Sequence, residues 1–281
     1  MTFKKFKELI MIEQTFFALP FAYIGVLFAG GATISQWLWV TLALFGARTA
    51  GMAFNRVLDA DIDAHNPRTE NRLIPRGAVT KTSVWILALV SILILIFSSY
   101  MLNMLCFYLS FVAAALLATY SLFKRFSASS HFYLGVVEAA APIGGYLAIT
   151  GSFDLFILIP GASIMFWIAG LDMLYSVQDM DYDKTEGLHS IPAKLGKEGA
   201  FILAGYSYLI SMITLLIGGW VSGSGGFYFI TIITVIVLFM TQLQTSYNEK
   251  ENYEEAMGSV FYINRFVSPI LFIGMLIDSF I

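Results

Sequence analysis

The chain has 281 residues, 58% of them hydrophobic and 16% aromatic, with only 12% charged and a formal net charge of −3. A mean hydropathy of +0.76 excludes an ordinary soluble domain. So small a net charge offers no basic excess for nucleic acid.

In chain order, the opening stretch TFKKFKELIMIEQ reads as a short amphipathic helix lying on a membrane surface. Lys4, Lys5 and Lys7 ahead of an apolar run also suit a signal peptide. Glu8 and Glu13 interrupt that approach, however, and no small-x-small cleavage site follows, so a retained span is expected. Nine apolar runs then succeed one another, at roughly 15–31, 37–58, 83–101, 105–123, 132–151, 153–177, 200–220, 227–244 and 260–280. Each is about the length that crosses a bilayer as a helix. Together they leave no room for a separate soluble domain. The expectation is one all-α domain over 1–281, a polytopic bundle of nine transmembrane helices with two Asp-rich cytoplasmic loops. Cys106 is the single cysteine and lies inside the fourth run, so no disulfide forms within the chain.

Lysine and arginine set the orientation. With the amino terminus inside, Lys4, Lys5, Lys7, Arg68, Arg72, Arg76, Lys81, Lys124, Arg125, Lys184, Lys194, Lys197 and Lys250 all fall on the cytoplasmic side. Arg56 and Arg265 sit near the cytoplasmic ends of the second and ninth runs. The opposite connections, at 32–36, 103, near 152 and at 221–226, hold no lysine or arginine. This is the positive-inside pattern, and it predicts a bacterial-type inner-membrane protein. Only Arg48 lies deep in a run.

Two connections are long, at about 59–82 and 178–199, and long loops beside packed helices are commonly functional. Asn55, Asp59 and Asp63 recur every four residues at the first. The second begins DMLYSVQDMDYD, giving Asp172, Tyr175, Asp179 and Asp183. Asp59 and Asp179 lie 120 residues apart, as do Asp63 and Asp183. RLIPRG after the first cluster is echoed by HSIPAKLG after the second, the mark of a weak internal duplication. On a continuous helix, residues four apart share a face, so each cluster is expected to present paired carboxylates in one direction.

One such cluster alone is more simply a solvated helix end. Two at matching positions on one membrane side favour a site. Carboxylates gathered together repel unless cations neutralise them, and an all-oxygen donor set suits Mg²⁺, which keeps places for water and phosphate. The basic residues of the same loops suit the remaining phosphate oxygens. Acids for metal and bases for phosphate, at a membrane surface, point to a diphosphate on a lipid.

At these residues the chain resembles the UbiA superfamily of intramembrane prenyltransferases. The family's first motif, N-D-x-x-D-x-x-x-D, is similar to Asn55-Arg56-x-x-Asp59-x-x-x-Asp63. The stretch NPRTENRLIPRG that follows resembles the family's R-T-x-x-R-P-x-P-x-G. The second motif, D-x-x-Y-x-x-x-D-x-x-x-D, is present in full from Asp172 to Asp183, and YSLFKRF resembles the Y-x-x-x-K-R element through Tyr120, Lys124 and Arg125. Two departures stand out. Arg56 replaces an aspartate, for which Asp61 is a candidate substitute, and Leu73 and Ile74 stand where R-P-L is usual. The closest likeness is to the 4-hydroxybenzoate polyprenyltransferase branch.

The resemblance implies two Mg²⁺ ions on the diphosphate of an allylic isoprenoid, one held by Asn55, Asp59 and Asp63, the other by Asp179 and Asp183. Arg68, Arg72, Lys124, Arg125, Lys184 and Lys194 are then candidates for phosphate oxygens. An aromatic acid, a hydroxybenzoate or a hydroxynaphthoate, would capture the prenyl group in a site kept dry by the apolar spans. The polyprenyl diphosphate, the aromatic acid and membrane lipid are the implied partners, with no obligatory protein partner. Arg48 either binds the acid's carboxylate or pairs structurally with Asp172 or Glu138. Asp172 is expected to orient the aromatic substrate or a water. Tyr175 either favours the cation through its ring face or packs in the core. Glu138 reads as lining the site. His65, His131 and His189 lack zinc spacing and read as solvated loop histidines. The rival reading is a membrane transporter of divalent cations or an anionic lipid, disfavoured because its site would sit at the bilayer midplane on broken helices.

Overall fold

The computed structural model describes residues 2–248 and 252–281; Lys250, counted above among the cytoplasmic lysines, lies outside them. Among the described residues there are twelve α-helices and no strand. Eight helices are long and apolar enough to cross a membrane, and a ninth crossing is available if a pair bent by 54° counts as one span. The bent pair is α1 (Phe3–Ile10) and α2 (Ile12–Phe28). The bend falls at Met11, which closes α1 in the left-handed conformation, φ 49° and ψ 60°. The expected surface helix is therefore α1: it buries Leu9 and Ile10 and exposes Phe3 and Lys4.

The chain divides into two compact units. One comprises Met1–Leu19 and Ala32–Leu122, the other Pro20–Gly31 and Phe123–Ile281, so α2 contributes to both and the division falls at its internal proline.

In the first unit α3 (Ile34–Leu58) runs against α5 (Lys81–Leu102) and α6 (Met104–Thr119). Thr33 starts α3 with a capping box shared with Gln36. Gly46 lets α3 and α5 touch backbone to backbone, since a Cβ there would stand 2.8 Å from the Ser91 carbonyl oxygen. Outward residues of α5 such as Ile86, Leu89, Leu93 and Phe97 are exposed, as a lipid-facing surface requires. Between α3 and α5 lies α4 (Ala60–His65), followed by a chain of turns pinned by buried Asn66, Thr69, Leu73 and Val79.

The second unit holds α7 (Ser130–Thr150), α8 (Leu158–Ser176), α9 (Met180–Thr185), α10 (Ile191–Ser222), α11 (Gly226–Asn248) and α12 (Tyr253–Asp278). Its core is aromatic. Trp167 is fully buried, edge-on to Phe21, and donates its indole N–H to Asn264 Oδ1 at 3.0 Å. Tyr208 stacks on Phe239 and donates its hydroxyl to Gln242 at 2.8 Å. Gly145 abuts the Ala22 carbonyl so closely that no side chain fits there. The α10 helix is kinked at Gly196, φ 75° and ψ 177°, and α9 with the start of α10 occupies most of the predicted second loop.

Candidate active site

The first motif occupies the end of α3. Asp59 is at once the last cap of α3 and the first of α4, with φ −92° and ψ 5°. This bridge-region break replaces the continuous helix that the four-residue spacing suggests. Asn55, Asp59 and Asp63 nonetheless stay together. Asn55 Nδ2 donates to Asp59 Oδ2 at 3.0 Å, and the Asp63 amide donates to the Asp59 carbonyl at 2.8 Å. Both carboxylates are buried. A buried charge must be paired, and for Asp63 the partner is Arg72, whose Nη1 stands 2.7 Å from each carboxylate oxygen. The turns carrying Arg72 are themselves fixed to Asp63: Thr69 Oγ1 donates to the Asp63 carbonyl at 3.0 Å, and the Arg72 amide bonds back to Thr69. Arg68 lies in the same turns, half-buried, its amide donating to Asn66 Oδ1 at 2.9 Å. Asp63, Arg56 and Arg72 line a cavity of about 50 Å³ together with Glu8 and Leu9 of α1.

Arg56, the departure from the family pattern, donates to Asn55 Oδ1 at 3.3 Å and so orients that amide toward Asp59. Asp61 does not take over a missing carboxylate's place. Its side chain is 85% exposed and pairs with Lys81 at 2.8 Å. Tyr120, in the 3-10 turn Tyr120–Arg125, donates its hydroxyl to the Gly51 carbonyl at 3.2 Å, one turn before Asn55 on α3. Arg48, half-buried, lies two turns before Asn55.

The second motif repeats this backbone. After α8, the 3-10 turn Val177–Asp179 leads to Asp179 at φ −98° and ψ 2°, and then α9, six residues long like α4. Asp183 is the buried fourth residue of its short helix, as Asp63 is of its own. Its partner differs, because Asp183 accepts from the Ser190 hydroxyl, with Lys124 and Asp179 acting on it through space. Four consecutive residues at the start of α10 then tie the region together. The Leu188 amide donates to the Asp183 carbonyl at 2.8 Å and the His189 amide to the Lys124 carbonyl at 2.6 Å. Ser190 caps α10 and holds Asp183, and the Ile191 amide donates to His131 Nε2 at 3.1 Å.

His131 corrects its sequence reading. It is 2% exposed, with Nδ1 2.7 Å from Asp172 Oδ2, whereas His65 and His189 are solvent-exposed as expected. The sequence missed it because nothing local distinguishes a histidine that opens a buried helix end. Ser190 was more accessible to inspection, since Ser-x-Pro is a helix-start signal. Tyr175 packs edge-on to Phe261, ring centroids 5.1 Å apart. Lys184, Lys194 and Arg125 are exposed, and Lys124 and Glu138 half-buried. Among the described residues, no three histidine, cysteine, aspartate or glutamate side chains form a preassembled metal cage.

Long apolar helices followed by repeated buried aspartates define a membrane-spanning protein with carboxylates at its helix ends. Comparison with known proteins narrows this. The profile of the UbiA prenyltransferase family matches residues 18–265, and the chain belongs to that family. It is therefore a multi-span membrane enzyme, a prenyltransferase, and the transport reading is set aside. A 4-hydroxybenzoate octaprenyltransferase of Escherichia fergusonii is 28% identical over 279 residues, covering 98% of this chain and 91% of the relative. The apo structure of a UbiA homologue from Aeropyrum pernix K1, 30% identical, superposes with a TM-score of 0.88 over 95% of this chain and 98% of that one. A UbiA homologue from Archaeoglobus fulgidus bound to DMAPP and Mg²⁺ shares the fold at 16% identity, with a TM-score of 0.71 over 97% and 99% of the two chains.

Proposed function

We propose that this prenyltransferase moves a polyprenyl group from an allylic diphosphate to an aromatic hydroxy acid, 4-hydroxybenzoate or a related hydroxynaphthoate, as in ubiquinone or menaquinone biosynthesis. The observation that carries the reading is the repeated helix break. Two long apolar helices each end in a bridge-region aspartate followed by a buried aspartate one turn on. The family match runs through both compact units, which supports treating 1–281 as one catalytic domain.

The donor chemistry fits Mg²⁺. Asn55, Asp59 and Asp63 offer hard oxygen donors, as do Asp179 and Asp183, which suits an ion that keeps places for water and phosphate. When bound, the metal neutralises charge that builds on the leaving diphosphate. The resemblance implies two ions in all, one for each motif. Arg72 holds Asp63 in place, and it, Arg68, Lys124, Arg125, Lys184 and Lys194 are the candidate cationic contacts for phosphate oxygens. In this reading Arg48 receives the acceptor's carboxylate and Asp172 faces the acceptor, with Tyr120 and Glu138 as further candidates for substrate contact. Tyr175, held by Phe261, shapes the wall. The apolar spans admit the tail and exclude water, which would otherwise capture the allylic cation. The lysine and arginine distribution supports an inner-membrane enzyme with its amino terminus and active site on the cytoplasmic face.

Purified protein in lipid nanodiscs, given Mg²⁺, a polyprenyl diphosphate and a panel of aromatic acids, tests this by mass detection of product. A prenylated hydroxybenzoate or hydroxynaphthoate is expected. Diphosphate release with no acceptor specificity, or product only with non-aromatic acceptors, would overturn it.

A further inference from the structure

The buried histidine at the start of α7 has one orientation open to it. A backbone N–H only donates, so the Ile191 amide, 3.1 Å from Nε2, requires a lone pair on that nitrogen. The ring's single proton is therefore on Nδ1, where it donates to Asp172 Oδ2 at 2.7 Å. In this tautomer the ring offers a donor to the carboxylate and an acceptor to the amide. His131 itself is sealed from solvent, while the Asp172 side chain keeps 30% of its surface accessible. The Ile191 amide that fixes the ring adjoins Ser190, which bonds Asp183. One helix start thus sets the rotation of the ring and the position of the second motif's last carboxylate.

We infer that His131 is a positioning residue: it locks one oxygen of Asp172, so that this carboxylate stands ready to take the proton displaced from the acceptor's ring. The inference rests on the placement of Asp172 on the acceptor side proposed above. In the step concerned, the allylic C–O bond breaks and its electron pair leaves on the diphosphate. A π pair of the aromatic ring forms the new C–C bond. The C–H proton at that carbon then passes to Asp172 and on to water, restoring aromaticity. His131 neither gains nor loses a proton. It prevents the carboxylate from rotating away, and a fixed base is what a fast final proton loss requires.

The test uses the whole chain in nanodiscs with Mg²⁺, geranyl diphosphate and 4-hydroxybenzoate. Product from the unaltered protein comes first; its absence is a failure of the underlying reading and not of the pair. Given product, Asp172→Asn lowers kcat on the order of 10²-fold. His131→Ala lowers it about tenfold, with KM for geranyl diphosphate unchanged. His131→Gln, whose amide offers one donor and one acceptor, recovers most of the rate. The double variant is no slower than Asp172→Asn alone, because the histidine acts only through the aspartate. Additive losses, a rise in KM for the diphosphate at unchanged kcat, or full rate in Asp172→Asn would each overturn the inference. Should His131→Ala fail to fold, the unaltered protein still decides. Ring ¹⁵N resonances, assigned by comparison with His131→Gln, must show Nδ1 protonated and Nε2 bare; the opposite tautomer or an imidazolium overturns it.

Discussion

The loops that follow α3 and α8 share a backbone and differ in how they neutralise it. Asp59 and Asp179 adopt nearly the same dihedral angles, each begins a six-residue helix, and each is followed at the fourth position by a buried aspartate. Downstream, Gly77 and Gly196 both take positive φ, 70° and 75°, although RLIPRG runs through turns and IPAKLG opens α10. Yet Asp63 is held by a guanidinium and Asp183 by a hydroxyl. The arginine makes the first loop a closed electrostatic unit. The serine leaves the second carboxylate's charge largely uncompensated by direct contact, with Lys124 acting from further off. A shared fold of the motif thus supports two electrostatic states, one satisfied within the protein and one more open to an added cation.

The sharpest way to break this comparison is to remove the carboxylates themselves. Asp63→Ala and Asp183→Ala should each lower turnover on the order of 10³-fold or more, since each deletes charge aimed at the leaving group. If the second motif is the more open one, the loss in Asp183→Ala should be partly offset by raising Mg²⁺, whereas that in Asp63→Ala should not, because Arg72 is then left facing the site unpaired. Initial rates across a Mg²⁺ titration measure the difference. Equal responses would show that the electrostatic contrast has no bearing on metal use.

A smaller effect, on stability, separates the two partners. Arg72→Ala leaves Asp63 buried without its counter-ion and should cost about 3 kcal/mol, seen as faster amide exchange through the turns around Thr69. Ser190→Ala removes a hydroxyl that both caps α10 and bonds Asp183, and should cost about 1–2 kcal/mol, with exchange rising at the start of α10. The reverse order would mean that the second motif depends more on its neutral partner than the first does on its charged one.

How far the sequence carried depends on the range of the interactions. The apolar runs, a short helix at the amino-terminal end and the aspartate spacing are local or periodic signals, and they were legible. The helix breaks at Asp59 and Asp179 were not, because neither contains a glycine or proline; they are imposed by the turns that follow, through contacts such as Thr69 to Asp63 and Leu188 to Asp183. The choice of partner was hidden for a related reason. Arg72 is nine residues from Asp63, and His131 is 41 from Asp172, so only the packed chain brings them together. Ser190 sits between these cases: its capping role was readable and its bond to Asp183 was not.

The smallest expected effect concerns the asymmetry at Arg56. With the family's aspartate absent there, Asp61 is the nearest spare carboxylate in sequence, yet it faces solvent and pairs with Lys81. Exposed pairs of this kind contribute little, so Asp61→Asn should change stability by less than about 1 kcal/mol and leave the rate within about twofold. Arg56→Ala should do more, because Arg56 orients Asn55 and Asn55 in turn donates to Asp59; its signature is a weaker Mg²⁺ response at near-native stability. Were Asp61→Asn instead the more damaging change, the short helix α4 would have to rotate by roughly 160° to bring that side chain to the place Asp63 now holds. The first motif's resting geometry would then not be its working one, and its likeness to the second would be a property of the unliganded backbone alone.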